Sequence, residues 1–150
     1  MPNRLTRGIG LFGDLRVEGG RILPRIARIA VTGGTDTGGG LFAWQPDDTD
    51  RVVIVDRVTL DVPTVATAAC TVEVGTDSSA TGASANLIDG LDVHSASGIF
   101  DNLGNGGTNG KTCQKLAAGD YVTGSVASGA SAGLVAVVFV QYFYRDELYN

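Results

Sequence analysis

The sequence contains few of the residues on which catalytic and metal sites are built. Its 150 residues include one histidine, His94, and two cysteines, Cys70 and Cys113, which stand in unrelated contexts. Neither a C-x-x-C pair nor a Cys/His set is present, so the sequence predicts no zinc site. The G-x-S-x-G, H-E-x-x-H and EF-hand patterns are absent as well. We therefore expect a protein that is not an enzyme and that binds no cofactor.

Long apolar runs are also missing. The most apolar stretch, residues 134–143, is interrupted by Gln141 and is too short to cross a bilayer as a helix. The first residues hold no apolar stretch of signal-peptide length. We expect a soluble protein, made in a cytoplasm and without a membrane partner. For the two cysteines we expect buried free thiols, and the sequence alone leaves a disulfide open.

Glycine, valine and threonine are abundant, and this composition favours strands over helices. The 22 glycines are about twice the usual share, which implies many turns. Residues 51–62 alternate, with Val58, Leu60 and Val62 on one side of the predicted strand, and residues 69–75 alternate in the same way. A strand that is polar on one face and apolar on the other is typical of an antiparallel sheet.

The last predicted strand, from residue 134 to about 145, is apolar on both faces, so we expect a central strand covered on both sides. Seven or eight short strands, without a convincing amphipathic helix, predict an all-β fold. We expect an antiparallel two-sheet sandwich, jelly-roll-like, over residues 27–150.

Residues 1–26 are predicted to form an extended basic arm in front of this domain, because they contain little contiguous apolar sequence. Residues 1–28 carry six arginines against two acidic residues, a charge of +4, which leaves −9 for the rest of the chain. Without lysine clusters or interleaved aromatic residues, the arm does not indicate nucleic-acid binding. Docking on an acidic protein surface explains the arm better.

The segment DNLGNGGTNGKT, residues 101–112, resembles a phosphate-binding loop. The motif G-x-x-x-x-G-K-[ST] requires a glycine at position 105, where the sequence has Asn105. A phosphate-binding loop is also followed by a helix, whereas the residues on both sides of this segment predict strands. We therefore interpret the segment as a surface loop.

Two further patterns have a chemical and a structural interpretation. Asp92 and His94 would share one side of an extended segment as an acid/base or metal pair, although a lone histidine is more often a polar surface residue. The acidic stretch with Asp47, Asp48 and Asp50 could bind calcium together with backbone carbonyls, but a solvated acidic turn explains it better.

The aromatic residues Trp44, Tyr142 and Tyr144 suggest contacts with a glycan, because aromatic faces stack on sugar rings. The alternative, which we favour, is that they are core and subunit-contact residues.

The text from Ala85 to Tyr142 resembles the C-terminal half of small virion proteins that decorate the capsids of tailed bacteriophages. The matching pieces are NLIDG at 86–90, GIFDN at 98–102, NGK at 109–111 and QKLAAGDYVTGS at 114–125. The resemblance implies a β-sandwich structural protein of the virion, commonly a homotrimer, located on the capsid surface and not enzymatic. Its partner would be the major capsid protein. The N-terminal arm has no counterpart in this resemblance.

Two hypotheses follow. In the first, a decoration or cement protein attaches to the outer surface of the capsid lattice and stabilises the head. Its capsid-binding arm would comprise Arg4, Arg7, Ile9, Leu11, Phe12, Arg16, Arg21, Ile22, Leu23, Arg25 and Arg28. In the second, a glycan-binding module of a head or tail fibre attaches to the host through Trp44, Tyr142 and Tyr144.

Overall fold

The computed structural model describes residues 16–17, 21–22 and 24–149, which form eleven strands and one short 3₁₀ helix. A two-stranded hairpin comes first, and nine longer strands follow. The strands are β1 (Arg16–Val17), β2 (Arg21–Ile22), β3 (Arg25–Thr32), β4 (Gly40–Trp44), β5 (Val53–Thr64), β6 (Cys70–Asp77), β7 (Ile88–Asp92), β8 (Gly98–Asp101), β9 (Gln114–Leu116), β10 (Tyr121–Gly129) and β11 (Val135–Tyr144), and the 3₁₀ helix is Arg145–Tyr149.

Beyond the hairpin, the described strands form two antiparallel sheets that pack as a sandwich. One sheet has the order β4-β10-β6-β7, and the other has the order β3-β11-β5-β8 with β9 also paired to β5. The chain passes between the two sheets at most of its connections. The predicted all-β, antiparallel two-sheet sandwich is confirmed.

The core lies between the sheets and is built by the predicted alternation. In β5, Val58, Leu60 and Val62 are buried while the residues between them face outward. In β6, Val72 and Val74 are buried in the same way. Burial of valine and leucine side chains supplies most of the driving force for such a sandwich, at about 1.5–3 kcal/mol for each side chain.

Strand β5 extends beyond the alternating residues 51–62 and includes Pro63. The strand continues to Thr64, which pairs with Val135 of β11, and the register shifts between Val135 and Val137. A proline lacks the N–H that a regular ladder needs, but a bulge leaves one residue unpaired. The bulge therefore lets β5 include Pro63.

Strand β11 is central, as predicted, because it lies between β3 and β5. Its inward residues, such as Val138 and Val140, are buried. The expectation that both its faces are covered is wrong for the described part of the chain, since Val135 is 42% exposed and Phe139 is only half-buried. We call this side of the β3-β11-β5-β8 sheet the outer face. Its larger apolar residues are Ile26, Ile54, Ile99, Val135, Val137, Phe139 and Phe143.

The two cysteines are free thiols. Cys70 is buried as expected, whereas Cys113 is exposed, so the expectation of burial is wrong for Cys113. Cys113 lies just before β9, at the end of the loop that follows β8.

Candidate functional site

The predicted arm falls largely outside the described residues. Arg4, Arg7, Ile9, Leu11, Phe12 and Leu23 all lie there. Of the other arm residues, Arg16 belongs to β1, and Arg21 and Ile22 belong to β2, which pairs antiparallel with it. Arg25 and Arg28 lie in β3, so they are part of the sandwich.

Arg25, the first residue of β3, is held by the C-terminal end of the chain. Its guanidinium donates two hydrogen bonds to the Glu147 carboxylate, at 3.0 and 3.2 Å. Its Cζ also lies 4.5 Å from the centroid of the Tyr144 ring. A bidentate pair of this kind fixes geometry as well as charge. The root of the predicted arm is therefore attached to the 3₁₀ helix.

Arg51 lies on the same tyrosine and completes a cluster of charges. Its Cζ is 3.8 Å from the Tyr144 centroid, and its guanidinium donates to Asp146 at 2.6 Å and to Glu147 at 3.1 Å. Desolvation lowers the pKa of Arg51, but these hydrogen bonds outweigh it and raise the pKa overall. The hydrogen bond from Arg51 likewise lowers the pKa of Asp146. The guanidinium groups of Arg25 and Arg51 therefore both make cation–π contacts with the Tyr144 ring.

The three aromatic residues proposed for glycan contact lie in contact with one another. The Trp44 and Tyr142 ring centroids are 4.9 Å apart, and those of Tyr142 and Tyr144 are 5.8 Å apart in an edge-to-face arrangement. Tyr142 is 6% exposed and Tyr144 is 4% exposed. Burial also raises the pKa of Tyr142. Neither tyrosine presents an open ring face to a sugar, so their burial argues against the proposed glycan contact, whereas Trp44 is half-buried.

Asp92 and His94 form a turn at the end of β7. The Asp92 carboxylate accepts hydrogen bonds from the backbone N–H groups of His94 and Ser95 and from the Ser95 hydroxyl. The Ser95 hydroxyl contributes most, and together these bonds lower the pKa of Asp92 from 3.8 to about 2. The His94 imidazole lies elsewhere, with Nδ1 at 2.8 Å from the Ala66 carbonyl oxygen. The arrangement is that of an Asx turn, which stabilises the chain where it leaves the sheet.

The acidic stretch after β4 is also a turn. The Asp50 N–H donates to the Asp48 carboxylate, and the Asp48 N–H donates to the Tyr144 hydroxyl. Within residues 24–149, no group of three or more His, Cys, Asp or Glu side chains is close enough to hold a metal ion.

The segment that resembled a phosphate-binding loop joins two strands, β8 and β9, as the sequence predicted. Sequence reasoning did not identify the second residue of this segment, Asn102, as important, although its side chain is buried and Asn102 is 2% exposed. The Asn102 side chain accepts a hydrogen bond from the Val58 N–H at 2.9 Å and donates one to the Lys111 carbonyl oxygen at 2.8 Å. Asn102 therefore fixes both ends of the loop to β5.

Within the described residues, no helix is long and apolar enough to span a membrane.

Comparisons with known proteins give one structural neighbour. No family model matches the chain, and no curated protein matches it. Among solved structures, the chain is similar to a chain of the "Cyanophage Pam1 capsid asymmetric unit". The two share 19% sequence identity, with a TM-score of 0.46 and coverage of 87% of this chain and 91% of that chain.

Proposed function

We propose that the protein is a structural component of a tailed-phage virion, without catalytic activity, that binds the outer surface of the major capsid lattice and stabilises the head. The observation that carries this proposal is the resemblance of residues 85–142 to small capsid-decorating virion proteins. The remaining arguments concern how a protein with this structure would perform such a task.

The residues that carry the resemblance lie at positions that determine the fold. NLIDG includes Leu87 and Ile88, both fully buried, and GIFDN ends with the loop-fixing Asn102. QKLAAGDYVTGS covers β9, the turn after it and the first half of β10. The resembling segment thus includes strands of both sheets, so a shared sequence here favours a shared fold. Function is then an analogy that needs its own test.

The two-sheet sandwich is compatible with capsid decoration and also with the alternative function, glycan binding. We propose that the sandwich is jelly-roll-like; jelly rolls occur both in viral capsid domains and in lectins, so the fold favours neither decoration nor glycan binding. Burial does bear on the choice, because two of the three aromatic residues proposed for sugar contact, Tyr142 and Tyr144, lie in the core. Decoration is therefore the better-supported function.

The charge distribution suggests how the protein would attach. Residues 24–150, which include Arg25 and Arg28 of β3, carry a net charge of −7, so the body of the protein repels an acidic surface. The arm, with four arginines before residue 24, can supply the attraction. A homotrimer would present three arms at once, and simultaneous attachment multiplies a modest affinity for each arm. We propose this arrangement, with Arg4, Arg7, Arg16 and Arg21 as the charges that face the lattice.

Co-sedimentation with expanded phage heads that lack this protein tests the proposal. The full chain should sediment with the heads, and Arg4→Glu combined with Arg7→Glu should lose most of the binding, because both substitutions replace attraction by repulsion. The matched control is Lys111→Glu, which changes an exposed charge of the body and should bind as the unchanged chain does. If the double variant binds as well as the control, the arm is not the attachment site. If the unchanged chain does not bind at all, the proposed function is wrong.

A further inference from the structure

The free edge of β3 is the longest unpaired strand edge within the described residues. β3 has eight residues and lies at the end of its sheet, so that β11 pairs with only one of its two sides. The other strands at the ends of the two sheets, β4, β7, β8 and β9, have three to five residues each. Among the described residues, no backbone hydrogen bond from outside the sheets reaches residues 25–32. An open edge of this length is a template for a further strand.

β3 has few of the features that protect an open edge. Proteins usually place a proline, a bulge or several charges on a strand whose edge stays exposed. β3 contains no proline, and its register with β11 does not shift. Its exposed residues are Ile26, Arg28, Ala30 and Thr32, of which only Arg28 is charged. This edge is therefore suited to being covered by another strand.

The hairpin in front of β3 indicates which segment covers the edge. β1 pairs antiparallel with β2, with residue 16 opposite residue 22 and residue 17 opposite residue 21. Each step backward along β1 therefore matches one step forward along β2. Only residues 23 and 24 separate β2 from β3, and a proline such as Pro24 is tolerated at a sheet edge. Continued in the same register, the hairpin places residue 13 opposite Arg25 and residue 8 opposite Ala30.

The sequence of residues 8–13, GIGLFG, matches the core side of β3 in this register. Ile9 falls opposite Ile29, and Leu11 falls opposite Ala27. Ile29 and Ala27 are partly buried and pack against the core, and residues directly opposite each other in antiparallel strands point to the same side of the sheet. Ile9 and Leu11 thus extend the core beyond β3. A register shifted by one residue would turn the glycines to the core instead.

The outward side of β3 agrees with the same register. Gly8 and Gly10 fall opposite the exposed residues Ala30 and Arg28, where no apolar side chain is needed. Phe12 falls opposite Ile26, which is 62% exposed within the described part of the chain. An aromatic residue beside a β-branched one is a favourable cross-strand pair. Phe12 would thus cover the largest exposed apolar side chain of β3.

We infer that residues 8–13, which lie outside the described residues, bind the free edge of β3 in the same chain as a further antiparallel strand. Six extended residues span about 20 Å, which is the length of residues 25–30 of β3. The inference does not rest on capsid binding. Combined with the proposed function, it leaves Arg4 and Arg7 in front of this strand for the lattice, and it assigns Ile9 and Leu11 to the sandwich.

Engineered disulfides in the full chain test the inference. Gly8→Cys combined with Ala30→Cys joins two residues that the register places opposite each other. The Cα atoms of such residues are about 4.5–5.5 Å apart, which suits a disulfide. The matched control combines Gly8→Cys with Ile26→Cys, another exposed position of β3 that lies four residues, or about 13 Å, further along the strand. Both variants also carry Cys113→Ser, because Cys113 is an exposed thiol.

After mild oxidation, non-reducing electrophoresis and mass spectrometry of a digest should show the disulfide between positions 8 and 30 within one chain of 15.4 kDa, and little or none in the control. Equal yields in the two variants overturn the inference, and so does a folded first variant without the disulfide. A disulfide that joins two chains also overturns it, because the strand would then come from another copy.

Hydrogen exchange of the unchanged chain is a second measurement that needs no substitution. The backbone amides of residues 9–13 should exchange slowly, because a paired strand holds part of them in hydrogen bonds. Exchange at the rate of an unfolded peptide throughout this segment overturns the inference. Both experiments use the isolated protein, so their outcome is independent of the co-sedimentation that tests the proposed function.

Discussion

Arg25 and Glu147 form a bidentate ion pair that joins the first residue of β3 to the 3₁₀ helix after β11. The two residues are 122 positions apart in the chain, yet their side chains are only about one fifth exposed, at 22% and 20%. The pair thus joins the point where the N-terminal arm enters the sandwich to the end of the chain. It also covers the ring of Tyr144 with a cation.

Removing this ion pair should destabilise the sandwich. Glu147→Gln removes the negative charge that Arg25 and Arg51 share, and we expect the free energy of unfolding to fall by about 1–2 kcal/mol. Urea unfolding followed by tryptophan fluorescence measures this directly, because Trp44 lies in the same aromatic cluster. Arg28→Met, at an exposed position of the same strand, is the control and should change stability by less than about 0.5 kcal/mol. Equal losses in both variants would contradict the role of the pair.

Asn102 should matter more for stability than any other residue of its loop. In Asn102→Ala the Val58 N–H loses its acceptor and the Lys111 carbonyl loses its donor, so we expect a loss of about 2–4 kcal/mol. Leu103→Ala changes the neighbouring residue, which is 49% exposed, and should cost much less. Thermal unfolding of the two variants compares them. An Asn102→Ala variant as stable as Leu103→Ala would show that the loop is held by other contacts.

The Asx turn at Asp92 should add a pH dependence to stability. The pKa of Asp92 is lowered from 3.8 to about 2 in the folded protein, so the charged form is favoured by folding. Its stabilising effect is complete above pH 3.8 and is lost as the pH falls toward 2. The difference in unfolding free energy between the unchanged chain and Asp92→Asn should therefore shrink over this range. Urea titrations at several pH values measure it, and a constant difference would mean that the carboxylate does not titrate in this way.

Much of the fold could be predicted because its signal is local. Alternation in residues 51–62 predicted which side of β5 is buried, since successive side chains of a strand point to opposite faces. The strand order could not be predicted in this way, because pairing between residues far apart in sequence leaves no local pattern. Pro63 is one example of a residue whose effect depends on pairing between strands. Whether a proline ends a strand depends on the bulge that its partner strand allows, here beside Val135.

The candidate surfaces were harder to predict for the same reason. The apolar run of β11 indicated a strand covered on both faces, but the sequence does not say whether the second cover comes from the same chain or from another copy. Asn102 resembled any other asparagine of a polar loop, and its burial becomes visible only when β5 lies beside it. Tyr142 and Tyr144 lie in the core, which agrees with the interpretation that we favoured for them over glycan contact.

Electron cryo-microscopy of the intact virion tests the central claim most directly. The account predicts separate density on the outside of the shell into which the sandwich of residues 24–149 fits, with the N-terminal arm in contact with the major capsid protein. A shell with a bare outer surface, or this protein located in the tail, would contradict it.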